Sequence, residues 1–246
     1  FELRLPEGEL IDLKLVRNDE DWAGGRNYVV HCGECLFIEP AFEHQTPRLL
    51  EPASVEHGGQ RLDYRVLLPP SYDEQEDKRY PVIYAQDGQS LWSVSTDPFG
   101  VWGLEQVFGQ LYEIGAIEEV IVVGIDTGAS RMERLSPAPD PEHGGGEAAK
   151  HLAAMTDALV PRIESELRTR TDRASRAVLG SSMGGLFSFF AAWSRPDVFG
   201  KAMCLSSSFW WSQRSMIRMV QERPAPSPRP VIYLDSGASV SAHETD

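Results

Sequence analysis

The chain has 246 residues, a net charge of −14, 41% hydrophobic residues and 24% charged residues. That length suits one large α/β domain or two smaller ones. The negative charge argues against nucleic acid and anionic membrane surfaces as partners. No apolar run approaches the ~20 residues of a membrane span.

Residues 1–50 read as β. Phe1-Glu2-Leu3-Arg4-Leu5 and Leu13-Lys14-Leu15 alternate with period two. Pro6-Glu7-Gly8-Glu9 reads as a turn, and Tyr28-Val29-Val30 and Leu36-Phe37-Ile38 as short strands. Cys32 and Cys35 form a C-x-x-C, but strand-like residues follow where a redox site wants a helix, and no second ligand pair suggests zinc. Cys204 reads as a core thiol. Residues 45–59, with Pro47, Pro52, Gly58 and Gly59, read as a connector, and a domain boundary is placed near residue 50. The start at Phe1 and the stop at Asp246 just after a strand suggest a fragment.

Beyond the boundary, strands and helices alternate. Strands are expected at 60–68, 80–85, 119–125, 176–179, 202–205 and 231–234, and helices at 102–112, 147–168 and 186–193. In the long helix Leu152, Met155, Leu159, Ile163 and Leu167 share one face. Apolar strands separated by helices imply a mostly parallel sheet covered on both faces. Such sheets bind ligands beyond the carboxyl ends of their strands. Residues 136–146, rich in Pro and Gly, read as a loop or flap over that cleft.

Gly180-Ser181-Ser182-Met183-Gly184 fits G-x-S-x-G, with an apolar strand before it and a helix after it. A very tight turn there holds Ser182 in a strained conformation with its hydroxyl in a cleft, as a nucleophile. The bland alternative is a Gly-Ser turn that packs a helix on a sheet.

The other strand ends supply the remaining candidates. Gln86-Asp87-Gly88-Gln89 lies where an α/β-hydrolase places one oxyanion-hole N–H, and Met183, next to the serine, supplies the other. Arg131, held by Asp126 and Glu133, is a candidate to meet a substrate oxygen, or a plain loop salt bridge. Trp210 and Trp211 suggest a wall for a flat or cyclic substrate, although core packing explains at least one of them equally well. The fold's chain order puts the acid after the last strand, with Asp235, Glu244 and Asp246 as candidates, and the histidine later still. His243 lies too near the acid to be that base, and His31, His44, His57, His143 and His151 precede the nucleophile.

From about Leu62 onward the chain resembles the putative-esterase family of α/β-hydrolases, the group around enterochelin esterase and esterase D. The signs are Leu68-Pro69-Pro70-Ser71-Tyr72, Tyr80-Pro81-Val82-Ile83-Tyr84 leading into Asp87-Gly88-Gln89, and Val122-Val123-Gly124-Ile125-Asp126 with Arg131-Met132-Glu133. Gly180 to Gly185, Pro196-Asp197-Val198-Phe199-Gly200 and Ser206 to Trp211 complete the set. The resemblance implies an α/β-hydrolase fold over 51–246, Ser182 as nucleophile, and an oxyanion hole from Gly88 or Gln89 with Met183. Aligning the acid loop favours Asp246 as the acid, with Asp235 retained. Residues 1–50 are similar to part of a β-sandwich of the carbohydrate-binding-module type that often precedes this catalytic domain.

The expected function is serine carboxylic-ester hydrolysis through an acyl-enzyme, on a siderophore, feruloyl, acetyl or other small acyl ester, on a glycan or a small molecule. No metal or organic cofactor is implied. The rivals are a non-catalytic carbohydrate-binding or scaffold protein on the same fold, and an acyltransferase.

Overall fold

The computed structural model describes residues 10–31, 33–34, 38, 40–43, 46–98 and 100–237. The N-terminal part forms two antiparallel ribbons. β1 (Leu10–Leu13) pairs with β4 (Tyr28–His31), and β2 (Val16–Arg17) pairs with β3 (Asp21–Trp22). The alternating residues 1–5, the C-x-x-C cysteines and Leu36-Phe37 fall outside the described residues.

An eight-stranded sheet follows, made of β5 (Arg48–Leu49), β6 (Ala53–His57), β7 (Gln60–Leu68), β8 (Val82–Gln86), β9 (Ile121–Ile125), β10 (Arg176–Ser181), β11 (Lys201–Leu205) and β12 (Val231–Leu234). Its order is β12-β11-β10-β8-β9-β7-β5, with β6 also on β7. β8 to β12 run parallel, and β5, β6 and β9 are antiparallel to β7. The stretch expected as a connector therefore contributes two strands, β5 and β6, to the sheet. Gly58 and Gly59 have φ of 55° and 76°, and they close a two-residue hairpin between β6 and β7 whose twist demands such angles.

Helices cover both faces. α1 (Leu104–Glu113) lies on one, where Leu104 and Phe108 pack with Ala85, Val122 and Leu179. The opposite face carries α2 (Arg131–Leu135), α3 (Ala148–Ala154), a π-helical turn (Met155–Leu159), α4 (Val160–Glu166), α5 (Met183–Ser194) and α6 (Trp211–Glu222). There Val82, Tyr84, Ile121, Val123 and Val178 meet Met155, Leu159, Leu186 and Phe187. Neighbouring residues of one strand thus serve opposite cores, as the pleat requires, and this is why the strands read as continuous apolar runs. α3, the π turn and α4 form the long helix expected at 147–168. The π turn absorbs Pro161, which has no N–H to continue an α-helical ladder.

Candidate functional site

The site begins with two chain reversals at the carboxyl ends of β10 and β11. Between β10 and α5, Ser182 has φ 56° and ψ −117°, a conformation costing roughly 1–3 kcal/mol that its surroundings must impose. They do so by leaving no room for side chains. A Cβ on Gly180 would lie 2.3 Å from the backbone carbon of Gly184, and one on Gly185 would lie 2.3 Å from Ser207 Oγ. The Ser182 N–H donates to the Leu205 carbonyl at 2.9 Å, locking the turn to β11. Met183 opens α5, so its N–H has no acceptor one turn back.

The second reversal, at residues 206–208, grips the first. Ser206 is left-handed (φ 42°), and its N–H donates to Asp235 Oδ1 at 2.7 Å. Ser208, 4% exposed, donates its N–H to the Ser182 carbonyl at 3.1 Å. Its Oγ lies 3.0 Å from Ser182 Oγ. Asp235, one of the three candidate acids, thus anchors this loop. Asp246, Glu244 and His243 lie outside the described residues.

A third strand end completes the floor. Asp87 adopts a left-handed conformation (φ 59°) and is followed by a short 3-10 turn, Gly88–Ser90. Gly88 is obligatory there, because a Cβ would lie 2.6 Å from Asp126 Oδ1 and 2.7 Å from the Gly124 backbone. Arg131 is held by Asp87, correcting the expected partners Asp126 and Glu133. Its Nε donates to Oδ1 at 2.8 Å and its Nη2 to Oδ2 at 2.9 Å. Thr127 Oγ1 donates to the same carboxylate at 2.6 Å, and the Thr127 N–H donates to Gln89 Oε1 at 3.1 Å. Asp126 instead sits beside Asp63, and burial, then that neighbour, raises its pKa.

These pieces border a cleft of about 650 Å³ lined by Asp87, Gln89, Asp97, Trp102, Arg131 and Ser182, among others. The tryptophan of this lining is Trp102, not the expected pair. Trp211 is 1% exposed, and its indole N–H donates to the Ala138 carbonyl at 2.7 Å. It belongs to the core and pins the 136–146 loop. Trp210 is 55% exposed and leans on Trp211 with ring centroids 5.7 Å apart.

Among the described residues no histidine hydrogen-bonds Ser182. His57 faces Asp157 and His143 faces Asp140. His151 is fully buried in α3, with Nε2 2.9 Å from Gln86 Oε1. Because the amide oxygen only accepts, Nε2 carries the proton. Burial, aided by Arg134, pushes this imidazole down to about 3, so it stays neutral. Gln86 immediately precedes Asp87, so His151 braces the floor from beneath. Cys204, also expected in the core, is buried, and burial pushes its thiol up to about 12. No group of metal-ligating side chains occurs among the described residues, and none of their helices is long and apolar enough to cross a membrane.

A serine elbow at the carboxyl end of a mostly parallel, doubly covered sheet defines an α/β-hydrolase. The chain belongs to the putative esterase family, whose model matches residues 56–246. It is 30% identical over 162 residues to an uncharacterized protein of Bacillus subtilis, YbbA, covering 63% of this chain and 60% of the relative. It is 27% identical over 157 residues to the ferri-bacillibactin esterase BesA of the same organism, covering 56% of this chain and 51% of BesA. The chain therefore spans less than two thirds of either relative. The fold is similar to that of an IroE-like serine hydrolase from Shewanella oneidensis, with a TM-score of 0.59 and 24% identity over 70% of this chain and 55% of that one.

Proposed function

We propose that this protein hydrolyses carboxylic esters through an acyl-enzyme on Ser182. The observation that carries the reading is the Ser182 turn itself, with φ 56° and ψ −117° between β10 and α5, bordering a cleft. Family membership supports ester hydrolysis, and the likeness to an esterase such as BesA supports small acyl or siderophore esters as substrates. Feruloyl and acetyl esters stay within the proposal.

In the proposed cycle Ser182 Oγ attacks the ester carbonyl carbon and gives up its proton to a histidine base, which the described residues do not supply. The carbonyl π pair moves to oxygen. The resulting oxyanion is met by the Met183 N–H and that of Gly88 or Gln89, each such donor being worth about 3 kcal/mol in comparable sites. Collapse expels the alcohol, which takes up the proton. Water then attacks the acyl-enzyme, releases the acid and restores the serine. Ser208 Oγ, 3.0 Å from the nucleophile, orients its hydroxyl and donates to it as charge develops. Either Asp235 or Asp246 serves as the acid.

The test is a fluorophosphonate probe on the full-length protein, with peptide mass spectrometry and a Ser182→Ala control, alongside turnover of p-nitrophenyl esters. Adduct on Ser182 with ester turnover lost in Ser182→Ala is the expected result. An unmodified Ser182 together with measurable glycan binding points to a non-catalytic scaffold instead. Transfer of the acyl group to added sugar marks an acyltransferase.

A further inference from the structure

We infer that the hollow behind Gly88 is a second substrate subsite, in which Arg65 and Asp126 hold a neutral group carrying both a hydrogen-bond acceptor and a donor, an amide or a vicinal diol. That group sits on a far arm of the ester cleaved at Ser182. The inference rests on the esterase reading for the bond cleaved, but not for the binding.

The hollow measures about 470 Å³ and is lined by Arg65, Gly88, Gln89, Trp92 and Asp126, among others. That is a usual size for a small-molecule site. The sheet creates it. Arg65 lies opposite Gly124 in the β7–β9 register, and by the pleat it shares the α1 face with Leu67. Gly124 carries no side chain there, and the Trp92 ring takes the space: a Cβ on Gly124 would lie 2.4 Å from Trp92 Cζ2. Trp92 is 3% exposed and so forms a fixed wall of the hollow.

Arg65 and Asp126 line this hollow with opposite charges and no bonded partner. Among the described residues, neither the Arg65 guanidinium nor the Asp126 carboxyl takes part in a hydrogen bond or an ion pair, with each other or with a third residue. Burial, then Asp63, raises the Asp126 pKa, and Arg65 offsets this only in part, through space. Arg131, the guanidinium of the adjoining cleft, is by contrast taken by both oxygens of Asp87. A guanidinium only donates and a carboxylate only accepts. Placed on one cavity, they complement a group whose oxygen accepts from Arg65 while its N–H or O–H donates to Asp126. Bonds to such charged partners are the stronger ones.

The hollow adjoins the cleft of the nucleophile. The two share Gln89, Asp97 and Pro98, and this divide is held in place. Gln89 Oε1 accepts from the Thr127 N–H at 3.1 Å, and Gln89 Nε2 donates to Thr127 Oγ1 at 3.3 Å. Asp97 Oδ2 accepts from Ser90 Oγ at 2.5 Å. Gly88, a candidate oxyanion donor, lines the hollow itself. An ester seated at Ser182 thus has a second cavity for a longer arm, on the other side of Gln89.

The experiment compares three p-nitrophenyl esters of equal chain length on the full-length protein: nonanoate, 6-acetamidohexanoate and 7,8-dihydroxynonanoate. Both polar arms replace the same two methylenes. One of them is expected to exceed nonanoate about tenfold in kcat/KM, chiefly through KM, and the better of the two names the group. Arg65→Met should erase most of that ratio, Arg65→Lys should restore part of it, and Asp126→Asn should cut it several-fold. Polar arms no better than nonanoate overturn the inference, as does a ratio that neither Arg65→Met nor Asp126→Asn alters. Binding is judged apart from chemistry by calorimetry of the two polar methyl esters on Ser182→Ala, with and without Arg65→Met. The better ligand is expected to weaken about tenfold when Arg65 is lost. Equal affinities, or no binding of either ester to Ser182→Ala, sink the inference. If no nitrophenyl ester turns over and the fluorophosphonate spares Ser182, the esterase reading fails, and the calorimetry still decides the subsite.

Discussion

Asp87→Asn probes the joint between the β8 and β9 strand ends with almost no change in volume. The native carboxylate accepts from Arg131 Nε, Arg131 Nη2 and Thr127 Oγ1 at 2.6 to 2.9 Å. Asparagine keeps one acceptor oxygen and turns an NH₂ toward a donor of Arg131, so one bond becomes a donor–donor contact. The surviving bonds fall from charge-assisted to neutral strength, from ~1.5–3 to ~1 kcal/mol each. The side chains of Arg131 and Asp87 are 32% and 15% exposed, so solvent screens part of the loss and the ~3–5 kcal/mol of a fully buried broken pair is an upper bound. The expected cost is about 2 kcal/mol, a drop of roughly 4–8 °C in Tm for a chain of this size. A double-mutant cycle with Arg131→Gln should return a coupling of about 1–2 kcal/mol. Because Asp87 leads directly into Gly88, ester turnover should fall in kcat more than it rises in KM. A Tm within 1 °C of the parent (the resolution assumed for ~0.3 kcal/mol), or a coupling below that, would mean the pair holds nothing.

Three further outcomes are expected. Gly180→Ala puts a methyl 2.3 Å from the Gly184 backbone. Backbone cannot swing aside, so thermal unfolding should show a loss of about 3 kcal/mol or more, and a parent-like melting curve with full turnover would refute the packing argument. Ser208→Ala removes the hydroxyl 3.0 Å from Ser182 Oγ. kcat should drop about tenfold with KM unchanged, the equivalent of ~1.4 kcal/mol, and Ser208→Thr should restore part of it; an unchanged kcat would leave Ser208 a packing residue. His151 has a folded pKa of about 3 against an unfolded 6.5, so the unfolded chain takes up its proton first. Its contribution is whole above pH 6.5 and lost as the pH falls toward 3, by up to ~1.4 kcal/mol per pH unit. Denaturant unfolding of the parent and of His151→Gln at pH 7 and 4.5 should show the parent losing about 2 kcal/mol more. Parallel losses in both proteins would falsify the buried neutral imidazole.

What could be read from the residues and what could not divides along sequence distance. The Ser182 turn was legible because part of what shapes it lies within five residues, where Gly180 and Gly184 pack against each other. The central parallel strands were legible because the middle of β10 and nearly all of β8 and β9 are buried on both faces and read as apolar runs. β6 was not, because its residues are largely exposed and it is a strand only by virtue of pairing with β7. Arg131 found its partner 44 positions away rather than in the nearer Asp126 or Glu133, and Ser208 meets Ser182 across 26 positions. The two tryptophans illustrate a local limit as well. Trp211 is buried while Trp210 is exposed, and their rings are tilted 56° to one another, so the adjacent pair forms no single flat wall. The long-range contacts share one cause. Residues 87, 131 and 182 converge only because the sheet runs β10-β8-β9, which lays three strand ends side by side. That order reflects how the crossovers were laid down in three dimensions, and no local pattern in the chain records it. A serine motif therefore announces a tight strand-to-helix turn from sequence alone, whereas the side chains around that turn become readable only once the neighbouring strand ends are known.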